Sequence, residues 1–155
     1  MVDFNEKMMR AALREAMKAE RKEEIPIGCV IAENGKIVAR AHNLRQTKRI
    51  ATAHAEILAI EKACRKKKDW RLPDAVMYVT LEPCAMCAGF LAQLGLTAVV
   101  FGARDVQAGC CGSVYDLCED PALPYAPTLA CGGVLEERCA KLLEDFFKTR
   151  RKRDA

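Results

Sequence analysis

The sequence predicts an α/β fold with a mixed sheet, on three observations. Ala75-Val-Met-Tyr-Val-Thr-Leu81 and Ala98-Val-Val-Phe-Gly102 read as buried strands, and an apolar helix pattern lies between them. A second strand–helix–strand run precedes it, and such alternation implies parallel strands joined by right-handed crossovers. Asn34-Gly35, between two apolar runs, is a strong hairpin signal, so residues 29–32 and 36–40 should pair antiparallel. At 155 residues, 51% hydrophobic and 30% charged, the chain suits one globular domain with a proper core.

Residues 3–21 are rich in helix formers and carry Phe4, Met8, Ala12, Ala16 and Ala19 at helical spacing. Met8, Met9 and Met17 read as core filling. Pro26 and Gly28 end that pattern, and the hairpin follows. The second hairpin strand ends at His42-Asn43. Only two histidines occur, so His42 is weighed as a metal ligand. The Asn43 amide can donate to and accept from a base edge, or serve as a turn residue. Residues 44–51 read as an exposed loop. Thr52 is a suitable N-cap for a helix through Lys66.

Pro83 is suited to open the next helix, which should reach about Leu94. Residues 85–103 contain no charge and approach membrane-span length. Gly89, Gln93, Gly95 and Thr97 interrupt them, which favours a buried helix, a turn and a buried strand. Periodicity fades over residues 104–133, with one helical turn expected near 113–117; long segments of this kind are commonly functional or packed on a partner. Residues 135–151 form a last helix with Leu142, Leu143, Phe146 and Phe147 on its apolar face.

The net charge of +4 is modest, but Lys148, Arg150, Arg151, Lys152 and Arg153 crowd the end. A second basic cluster spans Arg65 to Lys68, with Arg71. The start of the chain lacks the pattern of a secretory signal. Nine cysteines without a disulfide framework read as free thiols in a reducing cytosol. Cys29, Cys64 and Cys139 fall in core-patterned segments. Cys110, Cys111, Cys118 and Cys131 fall in the loop-rich region, where one of them could act as a further metal ligand.

The chemistry centres on His54-Ala-Glu56 and Pro83-Cys-Ala-Met-Cys87. Cys84 and Cys87, three apart on a helix, present their sulfurs on one side. With His54 they make three corners of a zinc tetrahedron. Glu56 remains free to carry protons to and from a water activated there. Residues two apart point in opposite directions in mid-helix, so His54 and Glu56 must sit at a helix mouth to share a site. Neither half of the pattern is specific alone; together, in this order, they are the signature of zinc deaminases.

Thr52-Ala-His-Ala-Glu56, Tyr78-Val-Thr-Leu-Glu-Pro-Cys-Ala-Met-Cys-Ala-Gly89 and Val99-Val-Phe-Gly-Ala-Arg-Asp105, followed by Gly109 and Gly112-Ser113, resemble the bacterial tRNA-specific adenosine deaminases of the cytidine deaminase superfamily. The resemblance runs essentially from the first helix to the basic end. It implies a three-layer α/β/α fold with a mixed five-stranded sheet, one Zn²⁺ per subunit, a homodimer, a cytoplasmic protein without membrane contact, and conversion of adenosine to inosine at the first anticodon position of tRNA. By that resemblance His54, Cys84 and Cys87 are the zinc ligands and Glu56 the proton shuttle. Asn43 holds the base edge, the Ala55 N–H contacts the purine, and Asp105 lies beside the anticodon backbone. Phe146, Phe147, Lys148, Arg150 and Arg151 belong to an RNA-binding helix. Ala51, Cys29 and Pro124-Tyr-Ala126 depart from the family pattern. Two alternatives stay open: a deaminase of free nucleobases or nucleosides, guanine foremost, and a structural-zinc RNA-binding module closed by Cys110, Cys111 or Cys131.

Overall fold

A computed structural model describes residues 2–155, with side chains from residue 5 onward; the expected core role of Phe4 lies outside the described residues. Helix α1 (Val2–Arg21) buries Met8, Met9, Ala12, Ala16 and Ala19. Met17 does not join them and is 40% exposed. It lies nine residues from Met8, which is half a turn round the helix at 3.6 residues per turn.

Strands β1 (Gly28–Glu33) and β2 (Lys36–His42) pair antiparallel as expected. Asn34 and Gly35 turn the chain with φ of +47° and +75°, the left-handed pair that a two-residue hairpin requires. The stretch that follows is exposed as expected, but it makes a one-turn helix, α2 (Arg45–Lys48), in place of the expected loop. Its cap comes from afar: the Gln46 and Thr47 N–H groups donate to the carboxylate of Glu24 at 3.1 and 2.7 Å.

Helix α3 (Ala55–Lys67) is capped by His54, not Thr52. The Leu44 N–H donates to the Ala53 carbonyl at 3.1 Å, which keeps the chain outside the helix until His54. Strand β3 (Ala75–Leu81) leads to α4 (Ala85–Ala92), whose N-cap is Cys84. Pro83 thus stands one residue outside the helix, and its carbonyl accepts the Cys110 N–H at 2.8 Å. Strand β4 (Ala98–Ala103), the short β5 (Leu129–Cys131) and α5 (Glu136–Asp154) complete the fold.

The sheet order is β2-β1-β3-β4-β5, with β3, β4 and β5 parallel and β1 antiparallel to both neighbours. Side chains alternate between its faces. Cys29, Ile31, Met77, Val79, Val99 and Phe101 pack under α3 and α4, whereas Val30, Ala32, Tyr78 and Val100 pack with α1 and Cys139 of α5. The three-layer α/β/α expectation is met.

The helical turn expected near residues 113–117 is replaced by a tight loop closed by an isolated Cys111–Asp116 bridge. Gly112, at φ +130°, turns the chain out of helical geometry there. Residues 85–103 resolve into α4, a turn at Gly95 and β4. Among the described residues, no helix is long and apolar enough to cross a membrane.

Candidate metal centre and its surroundings

Parallel strands bring their carboxyl ends to one edge, and ligand sites in such sheets lie beyond that edge. Leu81 of β3 pairs with Ala103 of β4, so Glu82-Pro83-Cys84 and Arg104-Asp105 leave the sheet side by side. The Glu82 N–H donates to the Ala103 carbonyl at 2.9 Å. Strand β2 points the same way and ends there too: its His42 pairs with Gly28, whose N–H donates to Thr80 Oγ1.

At this edge His54, Cys84 and Cys87 converge. His54 Nδ1 lies 3.8 Å from Cys84 Sγ and 3.6 Å from Cys87 Sγ, and the three ligand atoms lie within 4.8 Å of one another. Zinc bonds of about 2.0 Å to nitrogen and about 2.3 Å to sulfur, at a tetrahedral angle, separate the donors by about 3.6 Å. The residues fit a zinc ion. His42 takes no part: its Nδ1 pairs with Glu15 at 3.3 Å and its Nε2 with Lys22 at 2.9 Å. Cys110, Cys111 and Cys131 do not belong to the cluster either. Three protein ligands leave a fourth position open, as catalytic zinc sites do.

The three groups shift one another's proton affinity. The Cys87 thiol and the His54 ring pull the Cys84 pKa down to about 3, and Cys84 in turn raises His54. Cys87 is held protonated by Cys84, then by burial and by Glu56. Metal binding displaces such protons, because only the thiolate and the neutral imidazole coordinate. The N-cap positions of His54 and Cys84 put two helix N-termini beside the cluster, each with partial positive charge facing the sulfurs.

Glu56, the second residue of α3, is 4% exposed. Burial pushes its carboxyl up to about 7, against the pull of His54 and Cys87 beside it. Such a carboxyl both accepts and returns a proton near neutral pH. His54 as the cap lets both residues reach one site, because the chain is extended at His54 (φ −74°, ψ 152°) and helical only from Ala55.

Asn43, Ala55 and Asp105 lie at the same edge with work of their own. Asn43 is buried; its Nδ2 donates to the Ile25 carbonyl at 3.3 Å and its Oδ1 accepts the Arg45 N–H at 3.1 Å. One amide hydrogen and one lone pair then remain for a ligand. Ala55 is fully buried and opens α3, where the first N–H groups have no intrahelical partner. Asp105 Oδ1 accepts the Gln107 and Ala108 N–H groups, both at 3.1 Å, and so shapes its own turn. On α5, Phe146 and Phe147 meet edge to face at 5.4 Å, and Arg150 lies over Phe146. Lys148, Arg150 and Arg151 are exposed. Arg153 reaches Glu23 at 2.6 Å. The basic end of α5 therefore stands beside Glu23, in the segment that links α1 to β1. A groove of about 450 Å³ runs there between α1 and α5, lined by Glu20, Phe146, Thr149 and Arg150 among others.

Three buried carboxylates escaped the sequence reading: Glu15, the partner of His42, and two that brace the site, Glu82 and Glu24. Glu82 is 2% exposed. It accepts the N–H groups of Asp105 (3.3 Å), Cys111 (3.1 Å) and Ser113 (3.1 Å), and the Ser113 hydroxyl (2.5 Å). Gly109 is required beside it, since a Cβ there would meet Glu82 Oε2 at 2.3 Å. Glu24, 1% exposed, caps α2 and borders Ile25, the partner of Asn43. A lone glutamate before a proline or an isoleucine carries no local signal of such a role.

The cytidine and deoxycytidylate deaminase zinc-binding region matches residues 2–103 of this chain. A tRNA-specific adenosine deaminase of Bacillus subtilis is 46% identical over 149 residues, 96% of this chain and 92% of that protein. A solved structure from studies of A-to-I editing by tRNA:A34 deaminases at the wobble position superposes with a TM-score of 0.84 and 36% identity, over 88% of this chain and 99% of that one. A guanine deaminase structure from Bacillus subtilis superposes at a TM-score of 0.61 with 35% identity, over 64% of each chain.

Proposed function

We propose that this chain, which belongs to the tRNA-specific adenosine deaminases of the zinc-dependent cytidine and deoxycytidylate deaminase family, converts adenosine to inosine at the first anticodon position of tRNA. The observation that carries the chemistry is the three-ligand cluster of His54, Cys84 and Cys87 with the buried Glu56 beside it. The near full-length likeness to tRNA-specific relatives carries the substrate.

His54, Cys84 and Cys87 would hold one zinc per subunit, which when bound supplies an activated water for attack at C6 of adenine. Glu56 would take one proton from the attacking water and give it to the adjacent ring nitrogen, then take the remaining proton of the new C6 hydroxyl and give it to the departing ammonia, so that the C6–N bond breaks as the C6 carbonyl forms. A carboxyl with a pKa near 7 suits both directions. Asn43, already fixed by Ile25 and Arg45, holds the base edge with its remaining donor and acceptor, and the Ala55 N–H faces the purine. An anticodon loop presents unpaired bases that leave the stack at small cost, which a pocket at a sheet edge requires. Asp105 lies beside the anticodon backbone, and Phe146, Phe147, Lys148, Arg150 and Arg151 bind the RNA flank. The Arg153–Glu23 pair holds the basic end of α5 beside the segment that links α1 to β1. The whole chain, residues 1–155, acts as one domain, as a homodimer in the cytoplasm.

A free-base deaminase is the second reading, and guanine is its substrate. Exposed Pro124-Tyr-Ala126, which departs from the family pattern, favours it, as does the partial likeness to a guanine deaminase. Inosine formation on an anticodon stem-loop, with free adenine, adenosine and guanine alongside, separates the two. We expect inosine at the first anticodon position only. Turnover of a free base with none on the stem-loop would overturn the tRNA reading.

A further inference from the structure

Cys111 and Cys118 stand outside the metal centre, and the chemistry above uses neither. They are 5% and 3% exposed, and their sulfurs lie 3.2 Å apart. That is contact distance, roughly 1.2 Å beyond a disulfide bond. The two residues are the ends of one small loop with different anchors. At one end Cys110 donates its N–H to the Pro83 carbonyl and Cys111 donates its N–H to Glu82, both next to the ligand Cys84. At the other, the Cys118 carbonyl accepts the Thr128 N–H one residue before β5, and the Cys118 N–H donates to Asp116 Oδ1. Between them Val114 and Tyr115 are exposed, 44% and 69%.

We propose that Cys111 and Cys118 form an oxidisable dithiol that closes to a disulfide with hydrogen peroxide as the oxidant. One sulfur attacks a peroxide oxygen; the S–O bond forms as the O–O bond breaks, and hydroxide leaves with the thiol proton as water. The second sulfur then attacks the first; the S–S bond forms as the S–O bond breaks, and the second thiol proton leaves with that hydroxide as another water. Two thiols lose two electrons, and one peroxide takes them. The anchors already hold the sulfurs in contact, so the bond requires no rearrangement of the sheet or of the cluster. The staple joins the anchor at Glu82-Pro83 to the anchor at β5 and fixes the Val114–Tyr115 rim between them. Burial keeps larger oxidants away, so the pair answers to small uncharged ones. Exposed Cys131 lacks a partner sulfur of this kind among the described residues.

The test uses the full-length, zinc-loaded protein, treated with hydrogen peroxide and alkylated in denaturant without reductant. All of residues 105–138 lie in one tryptic peptide, so chymotrypsin, cutting after Tyr115, separates the two cysteines. The expected product is a joined pair of fragments containing Cys111 and Cys118, lighter by two hydrogens than the free pair and parted by dithiothreitol. Both thiols are then lost from alkylation while zinc stays bound. In Cys118→Ser, Cys111 should instead stop as a sulfenic acid that dimedone traps. Alkylation of both thiols after peroxide, or a first disulfide formed through Cys131 or the zinc cysteines, would overturn the proposal.

Discussion

At the scale of single residues, the site divides between groups that touch the reacting atoms and groups that set their environment. Glu56 is proposed for the first kind. Replacing it with Ala should lower inosine formation by about 10²- to 10⁴-fold, the usual contribution of a positioned acid–base group, while the zinc content of the protein is unchanged. His42 belongs to neither, being paired with Glu15 and Lys22. Burial lowers its pKa below the ordinary 6.5, although Glu15 partly restores it. Burial raises Glu15, but hydrogen bonds from Lys18 and His42 outweigh it and leave the carboxyl below 4.5. A base with a lowered folded pKa favours the fold only while neutral, so stability falls as pH drops below about 6.5. The lowered carboxyl adds a further loss below about 4.5. The urea midpoint should therefore fall as pH goes from about 7 to about 5, and a His42→Gln variant should show a flatter profile over that range. Equal slopes in the two proteins would show that the acid sensitivity lies elsewhere, the metal cluster being the first place to look.

At the scale of elements, two helix N-termini and three strand ends meet at one edge, and Glu82 ties them together. It stands between β3 and the Cys84 cap and takes four hydrogen bonds from the loop beyond β4. Replacing it with Ala leaves the buried Cys111 N–H, and the part-buried N–H groups of Asp105 and Ser113, without this acceptor. The expected cost is about 3 kcal/mol of unfolding free energy in urea, together with slower turnover, since the same loop carries Asp105. Full stability in that variant would mean that water replaces the carboxylate and that the loop is held by its backbone bonds alone. The limits of pattern reading are plainest here. Strands β1, β3 and β4 were legible because each is a continuous apolar run bounded by turn residues. The caps were not: Thr52 and Pro83 have the right chemistry, yet His54 and Cys84 hold the cap positions, because the Leu44–Ala53 and Cys110–Pro83 hydrogen bonds fix the chain just before each helix. Strand β5 has three residues, too few for a period to register, and it exists only against β4.

At the scale of the whole molecule, the basic end of α5 meets the segment between α1 and β1, with Arg153 on Glu23. If it binds RNA, changing Lys148, Arg150 and Arg151 together to Ala should weaken stem-loop binding and reduce the salt dependence, by a slope of about 2 in log K against log salt, at roughly 0.7 per phosphate contact. Zinc content and unfolding midpoint should stay as they are, since the three side chains are exposed; an unchanged slope would remove the tail from the interface. The sequence by itself determined the α/β class and the hairpin, and it pointed to the His54, Cys84 and Cys87 cluster and to Glu56 as its proposed proton carrier. These follow from local patterns, in which a few neighbouring residues carry the whole signal. Only the tertiary structure decided that among the described residues no fourth cysteine joins the cluster, that His42 serves Glu15 and Lys22, and that Glu82 and Glu24 brace the site. Each of these depends on which distant segments meet, and a buried carboxylate or thiol acquires its role from partners that the chain brings to it only by folding.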